Sequence, residues 1–355
     1  MRVLYFGTYE RDYPRNAQVI SALRGAGVGV VERHVSVWEG HTHKWRAGPA
    51  AAARLALAEL RLLRRSRDAF DALVVGYPGH FDLAAARRAA GDRPVVFSPL
   101  VSLFDTFVDD RRRFRAKSLP ARALAAIDRR ALRAADLVVA DTEANAEFLA
   151  RLANLPSDHV EVCFVGAEDR VFTPRWEPEE LFTALFVGKL IPLHGLETVL
   201  AAARLVPDLR FRIIGSGQLE PVLRERPPNV EHVPWVDYPL LPRELGAAGC
   251  ALGIFGTSGK ASRVIPNKVF QALACGVPVV TADTPAAREL LVHGGSALLV
   301  PVGEPESLAE AIVRLAREPQ LARRIAESGR GTYELRASEP VLGQRWRELL
   351  ARVIG

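Results

Sequence analysis

The chain has 355 residues, 49% of them apolar and 25% charged, with a formal net charge of +6. That length suits two domains better than one, each long enough to bury its own core. Three widely spaced cysteines, Cys163, Cys250 and Cys275, sit in apolar stretches. Their odd number and spacing argue against a disulfide framework or a metal cluster and point to a reducing compartment.

No segment approaches the roughly 18 unbroken apolar residues of a spanning helix, and the first residues show no charged region followed by an apolar one. A cytoplasmic protein is expected, soluble or peripheral on the inner face of the membrane. Nearly all the positive excess lies before residue 169, in Arg61, Arg64, Arg65 and Arg67 and in Arg111, Arg112, Arg113, Arg115 and Lys117. A solvated helix face or loop explains both clusters. Because Leu60, Leu62 and Leu63 interleave with the first, contact with an anionic membrane is the sharper alternative. Nucleic acid is not expected, since aromatic residues do not interleave with the arginines.

Short apolar runs alternate with helix-period segments from the start, the pattern of a parallel sheet covered by helices on both faces. Residues 3–6, 28–31, 72–75, 94–97, 137–140 and 160–164 read as strands. Helices are expected over 16–25, 50–65, 81–90, 121–134 and 143–153. The polar stretch 173–180, with two prolines, reads as an inter-domain connection. A second series of strands follows at 183–187, 210–214, 230–233, 251–255, 277–281 and 297–300, with helices at 195–206, 267–275 and 305–317.

The fold class is therefore α/β: two Rossmann-like doubly wound domains, 1–170 and 171–335, facing across a cleft at the carboxyl ends of both sheets. The amphipathic segment 339–353, within a third part at 336–355, is expected to cross back onto the first domain.

Gly7-Thr8-Tyr9 follows the first strand, where a glycine lets the backbone approach a ligand, although a tight strand-to-helix turn looks the same. The second domain opens with a stronger signal. Strand Leu185-Phe186-Val187 runs into Gly188-Lys189-Leu190-Ile191-Pro192-Leu193-His194-Gly195 and then a helix, so a cation and amide donors share one side, as a pyrophosphate needs. Ile214-Gly215-Ser216-Gly217 is a further strand-glycine junction on that edge. Pro234-Trp235-Val236 offers an aromatic plane to a nucleobase, against the equal reading of a packed or surface tryptophan.

Gly253 to Lys260 resembles a phosphate loop superficially, but the spacing fails and Ala261 stands where a hydroxyl is needed. Beyond it Arg263, Asn267 and Lys268 precede or open a helix with Pro266 ahead of its first turn. Two cations and a helix start stabilise anions, and a leaving diphosphate gains negative charge in the transition state. No His, Cys, Asp or Glu cluster has metal-ligand spacing. Asp109-Asp110 adjoins a basic run and reads as a solvated loop, and His80, after Tyr77-Pro78-Gly79, reads as structural with a catalytic role as the alternative.

Over most of its length the chain resembles the retaining family-4 glycosyltransferases, the group 1 glycosyl transferases of the GT-B fold. The resemblance rests on 187–195, 214–217, the run Ile265-Pro266-Asn267-Lys268-Val269-Phe270-Gln271-Ala272-Leu273-Ala274-Cys275-Gly276-Val277-Pro278-Val279-Val280, and 294–305. Val165-Gly166-Ala167 with Phe172-Thr173-Pro174 is similar to the family's exit from the first domain. The resemblance implies transfer of a sugar from a nucleotide-diphosphate sugar to a glycan, lipid-linked or small-metabolite acceptor, with retention and without a metal or other cofactor.

Taken with the readings above, the candidates at the chemistry are Lys189, Arg263, Lys268 and Asp105, with Gly7, Gly188, His194, Gly215, Gly217, Trp235, Asn267 and Gln271 around the donor. The chain departs from the family where an arginine and a lysine become Lys189 and His194, and where paired glutamates become Arg263 and Gln271. The family's first-domain histidine is replaced near Ser98-Pro99, which leaves Asp105 as the nearest acidic group. A non-catalytic nucleotide-sugar binding protein, or an epimerase of similar fold, is the rival reading.

Overall fold

The computed structural model describes residues 1–11, 13–37, 49–63 and 68–355, so Arg64, Arg65 and Arg67 lie outside the described residues. The chain divides into two compact units, Met1–Val108 with Arg112–Val165 and Glu339–Gly355, and Asp109–Arg111 with Gly166–Ser338.

The first unit is built on a six-stranded sheet of order β2-β1-β3-β4-β5-β6. Its strands are β1 (Arg2–Gly7), β2 (Gly29–His34), β3 (Ala72–Val75), β4 (Val95–Phe97), β5 (Leu137–Ala140) and β6 (Val160–Val162), and every pairing is parallel. Parallel strands need helical crossovers, which cover both faces and turn the central strands into unbroken apolar runs. The crossovers include α1 (Pro14–Gly25), α2 (Pro49–Leu62), α3 (Leu83–Ala90), α4 (Leu119–Ala134) and α5 (Glu143–Ala153).

Alternation along β1 separates two cores. Val3 and Tyr5 pack with Val19 and Leu23 of α1 and with Leu342, Trp346 and Leu349 of the last helix, α12 (Glu339–Ile354). Leu4 and Phe6 pack with Leu83 of α3, Leu132 of α4 and Leu149 of α5. Trp346, 1% exposed, anchors α12 in the first unit.

The second unit repeats the plan with order β12-β11-β10-β7-β8-β9. Its strands are β7 (Thr183–Val187), β8 (Arg210–Ile214), β9 (Val230–Val233), β10 (Cys250–Leu252), β11 (Val279–Ala282) and β12 (Leu298–Val300), again all parallel. Between and after them run α6 (Leu196–Leu205), α7 (Leu241–Ala247), α8 (Asn267–Cys275), α9 (Pro285–Leu290), α10 (Pro305–Arg317) and α11 (Pro319–Arg336). Phe186 of β7, Phe211 and Ile213 of β8, Leu196 and Leu200 of α6 and Ile312 of α10 share one core. In this order the direction of winding reverses between β7 and β10, and ligands of doubly wound sheets bind beyond the strand ends at such a point.

Several expectations shift. The strand read at 277–281 begins only at Val279, because Gly276 in the left-handed region ends α8 and the Val277 amide donates to the Ala272 carbonyl. The stretch 173–180, read as an inter-domain connection, is bound along the second unit. The Arg175 amide donates to the Cys275 carbonyl, the Glu177 amide to that of Gly246, and Trp176 Nε1 to that of Ala248 at 2.9 Å. Helix α11 escapes the sequence reading because Gly329 and Gly331 interrupt its pattern; Gly329 packs tightly on Leu273 and the Ser296 carbonyl. All three cysteines are buried free thiols, and burial pushes Cys163 up to about 11.

Candidate functional site

The winding reversal of the second sheet brings together residues from three segments. β7 ends in Phe186 and Val187, and Gly188 follows with φ +143, a conformation that side chains rarely adopt. An added Cβ at Gly188 would stand 3.2 Å from both Cε and Nζ of Lys268 and 3.3 Å from Cε1 of His194. Gly188, His194 and Lys268 therefore converge, and the missing side chain at 188 is what admits the lysine.

Gly215, also at φ +143, lies directly against the Gly188 carbonyl, and a Cβ at Gly217 would meet the Leu190 carbonyl at 2.6 Å. The two loops are laced together: the Gly188 amide donates to the Ile214 carbonyl at 2.9 Å and the Leu190 amide to that of Ser216 at 3.0 Å.

Lys268 opens α8, a helix in which every residue after Asn267 is buried. A helix apolar on all sides belongs in a core, so its polar members, Lys268 and Gln271, need a separate reason. They stand one turn apart and share a face. Lys268 is 7% exposed, its Nζ has no hydrogen-bond partner among the described residues, and the nitrogen lies 3.3 Å from the centroid of the Phe186 ring. Burial alone drives its ammonium well below the ordinary lysine range.

His194 Nδ1 is held by the Lys189 carbonyl, which places the ring proton on Nδ1 and leaves Nε2 as an acceptor. Burial, and then the nearby Lys268, push His194 well below the usual imidazole range. His194 is thus a neutral brace of the 188–189 loop and not a second cation. Lys189 itself is exposed, and partial desolvation of its amine together with the Arg111 guanidinium lowers it.

The other candidates are placed as follows. Arg263 ends a 3-10 turn, Ala261–Arg263, and its guanidinium lies against Gly259, 3.0 Å from where a Cβ would be. Asn267 is the first residue of α8. Trp235, on the loop after the edge strand β9, is 73% exposed and donates from Nε1 to Asp237 at 3.2 Å. Gln271 is buried on α8, and in the same unit the Tyr238 hydroxyl donates to Glu168 Oε1 at 3.1 Å.

Gly7 and Asp105 belong to the first unit. At Gly7, φ +127, the carboxylate of Asp82 occupies the space of a side chain. Asp82 accepts from the Thr8 amide at 2.7 Å and from the Thr8 hydroxyl at 3.0 Å, so this turn spends its amide on a carboxylate of its own unit. Burial, and then the nearby Asp82, push Glu59 up to about 10.

Asp105 is buried and opens a π-helical turn, Asp105–Asp110. The loop before it hangs on Asp128 of α4, which accepts from the Ser102 hydroxyl at 2.7 Å and from the Leu103 and Phe104 amides at 2.9 Å. His80 Nε2 faces the same carboxylate at 3.3 Å, while its Nδ1 lies on the Pro78 carbonyl. His80 thus completes a buried latch in which Asp128 is the member that sequence reasoning missed. Ser98, at the position of the replaced histidine, accepts from Arg15 at 3.2 Å. Among the described residues, no group of three or more His, Cys, Asp or Glu could hold a metal ion.

Two parallel, doubly wound six-stranded sheets define an α/β protein of the two-Rossmann GT-B fold. Residues 182–318 match the family of glycosyl transferases group 1. The chain is 30% identical over 319 residues to a GDP-mannose-dependent alpha-mannosyltransferase of Mycobacterium tuberculosis, an alignment covering 85% of this chain and 76% of that protein. It is 31% identical over 188 residues to a phosphatidyl-myo-inositol mannosyltransferase of Mycolicibacterium smegmatis, covering 50% of this chain and 45% of the relative.

Among solved structures it is similar to a sucrose-phosphate synthase from Thermosynechococcus elongatus, with a TM-score of 0.77, 16% identity, and 99% and 98% of the two chains covered. It is also similar to Anabaena HepE in complex with UDP-glucose, with a TM-score of 0.71, 16% identity, and 99% and 100% covered. At such identities the likeness concerns the fold. The chain belongs to the group 1 glycosyl transferases, and it is a glycosyltransferase.

Proposed function

We propose that the protein transfers a hexose from a nucleotide-diphosphate sugar, with GDP-mannose the first donor to test, to a glycan or lipid-linked acceptor, with retention at the anomeric carbon. The observation that carries this reading is the Nζ of Lys268: buried, without a hydrogen-bond partner among the described residues and set beside the backbone of Gly188. A cation so placed lacks its anion. With Lys189, Arg263 and the amide groups at the start of α8, it receives the diphosphate and the charge that grows there as the sugar leaves.

The donor-side groups named here are cations, amides and glycines. Without a carboxylate nucleophile among them, the supported route is a same-face displacement. The bond from the anomeric carbon to the phosphate oxygen breaks, the bond to the acceptor oxygen forms, and the acceptor proton passes to the departing phosphate. No cofactor enters this scheme. Asp105 is assigned to the acceptor side, and Trp235 to the base.

The mannosyltransferase names among the relatives support a mannosyl donor and an inositol-lipid or other envelope acceptor. A peripheral contact with an anionic membrane on the cytoplasmic side is supported by α2, where Leu57 and Leu60 are 58% and 63% exposed beside Arg54 and Arg61. No helix among the described residues is long and apolar enough to cross a membrane.

A thermal-shift panel of nucleotide sugars tests the donor directly, because a ligand at 100 times its dissociation constant adds about 2.7 kcal/mol. A donor of this class should raise the melting temperature, and its sugar should then pass to an acceptor. If no nucleotide sugar shifts the protein, the reading is wrong.

A further inference from the structure

Lys189, Lys268 and Arg263, the cations assigned to the donor, all follow β7 in the sequence. A fourth comes to the same loops from the short stretch Asp109–Arg111, which belongs to the second unit. Arg111 donates from Nη1 to Gln218 Oε1 at 3.4 Å, and its Nε lies 3.4 Å from Asp110 Oδ2. Gln218 stands between Gly217 and Leu219, and both of these meet Leu190. The Leu219 amide donates to the Leu190 carbonyl at 2.9 Å, and a Cβ on Gly217 would stand 2.6 Å from the same oxygen. Lys189 is the residue before Leu190. Arg111 is therefore held against the laced 188–190 and 215–219 loops.

Two features make this a place for an anion. The Arg111 side chain is 17% exposed and Asp110 beside it is 1% exposed, so the guanidinium has given up most of its water. Its bonds to Gln218 and Asp110, at 3.4 Å each, are weak returns for that loss, since charge-assisted bonds run to about 2.7–2.9 Å. It also stands among like charges. Desolvation and then Arg111 lower the Lys189 amine, and Arg111 adds to burial and Lys268 in lowering His194. A phosphoryl group answers both features: it offers paired oxygens in the geometry that a planar guanidinium matches, and it sets negative charge between two cations.

We propose that Arg111 is a diphosphate-binding residue of the donor site, its guanidinium and the Lys189 amine taking one phosphoryl group between them. The proposal rests on the reading of these loops as the donor site and adds a residue to it from outside the matched segment 182–318. It also separates Arg111 from the rest of the basic run 111–117, for which a solvated loop remains sufficient.

Calorimetry of the full-length protein with GDP, UDP and the two matching monophosphates tests this, at one fixed salt concentration because charge contacts are screened. For whichever diphosphate wild type binds, Arg111→Gln should weaken affinity about tenfold, the worth of one charge-assisted hydrogen bond. Arg111→Lys keeps the charge but loses the paired geometry, and its affinity should fall between the two. Arg115→Gln removes one charge from the same run at an exposed position and should bind as wild type does. A loss for the diphosphate alone places the guanidinium on the distal phosphate, and an equal loss for the monophosphate places it on the proximal one.

If Arg111→Gln binds the diphosphate as wild type does, or if Arg115→Gln loses as much, the proposal is overturned while the donor reading stands. Should Arg111→Gln melt early, Arg111→Lys decides by itself, and wild-type affinity there refutes the paired contact. If wild type binds neither diphosphate nor any nucleotide sugar, it is the donor reading that fails.

Discussion

The Nζ of Lys268 stands 3.3 Å from the centroid of the Phe186 ring and makes no hydrogen bond among the described residues. An aromatic face stabilises a desolvated cation by about 2 kcal/mol, whereas an unpaired buried charge costs several. Desolvation wins, and the amine is held well below its ordinary range. His194 and Lys189, the titratable groups on the adjoining loop, contribute no negative charge.

On the proposed reading, a bound diphosphate supplies the missing anion and should raise the amine again. Between its free and bound values, binding must take up a proton, so donor affinity falls as pH rises across that window and is greatest below it. Calorimetry of nucleoside diphosphate binding in buffers of different ionisation enthalpy should show net proton uptake in wild type and a smaller one in Lys268→Met. Equal uptake in both would place the proton elsewhere.

The same imbalance separates activity from stability. Lys268→Ala should lower kcat/KM by about 10²–10³, the usual cost of losing one preorganised group at a developing charge. Lys268→Met fills the volume without a charge, so the ligand-free protein should melt at the wild-type temperature or above it. A large loss of stability in Lys268→Met would mean that the lysine is paired in solution.

Gly215→Ala should be the most damaging single methyl in the donor site. The new Cβ falls on the Gly188 carbonyl in a backbone conformation that disfavours any side chain, so the 188–190 loop must move. Gly188→Ala shares the φ strain, but its Cβ meets the flexible end of Lys268 at 3.2 Å. Nucleotide affinity should therefore drop further for Gly215→Ala than for Gly188→Ala, as read by calorimetry.

In the first unit, Asp128→Ala leaves two buried amides, the Ser102 hydroxyl and His80 without their acceptor. A loss of about 3 kcal/mol is expected, since each orphaned buried donor costs about 1–3 kcal/mol, measurable as a lower urea midpoint. Nucleotide binding by the second unit should survive at low denaturant. An Asp128→Ala protein as stable as wild type would show that the latch is not formed.

The residues alone gave the alternation of strands and helices, the two doubly wound sheets, and the glycines 188 and 215 at strand ends. Those features are local: apolar runs report burial on both faces of parallel strands, and glycines at strand ends mark close backbone approach. Tertiary structure decided whether each polar group keeps a free valence. Gly7 looked like an open phosphate turn until Asp82, 75 residues on, took the Thr8 amide. His194 stands where the resemblance has a lysine, and only the fold braces its ring on the Lys189 carbonyl. Tyr238 with Glu168, and Asp128 with Ser102 and His80, are joined only by the fold, each pair distant in sequence. Sequence order determines which groups a loop carries, but the partner that folding brings beside each group determines whether it is left to meet a ligand.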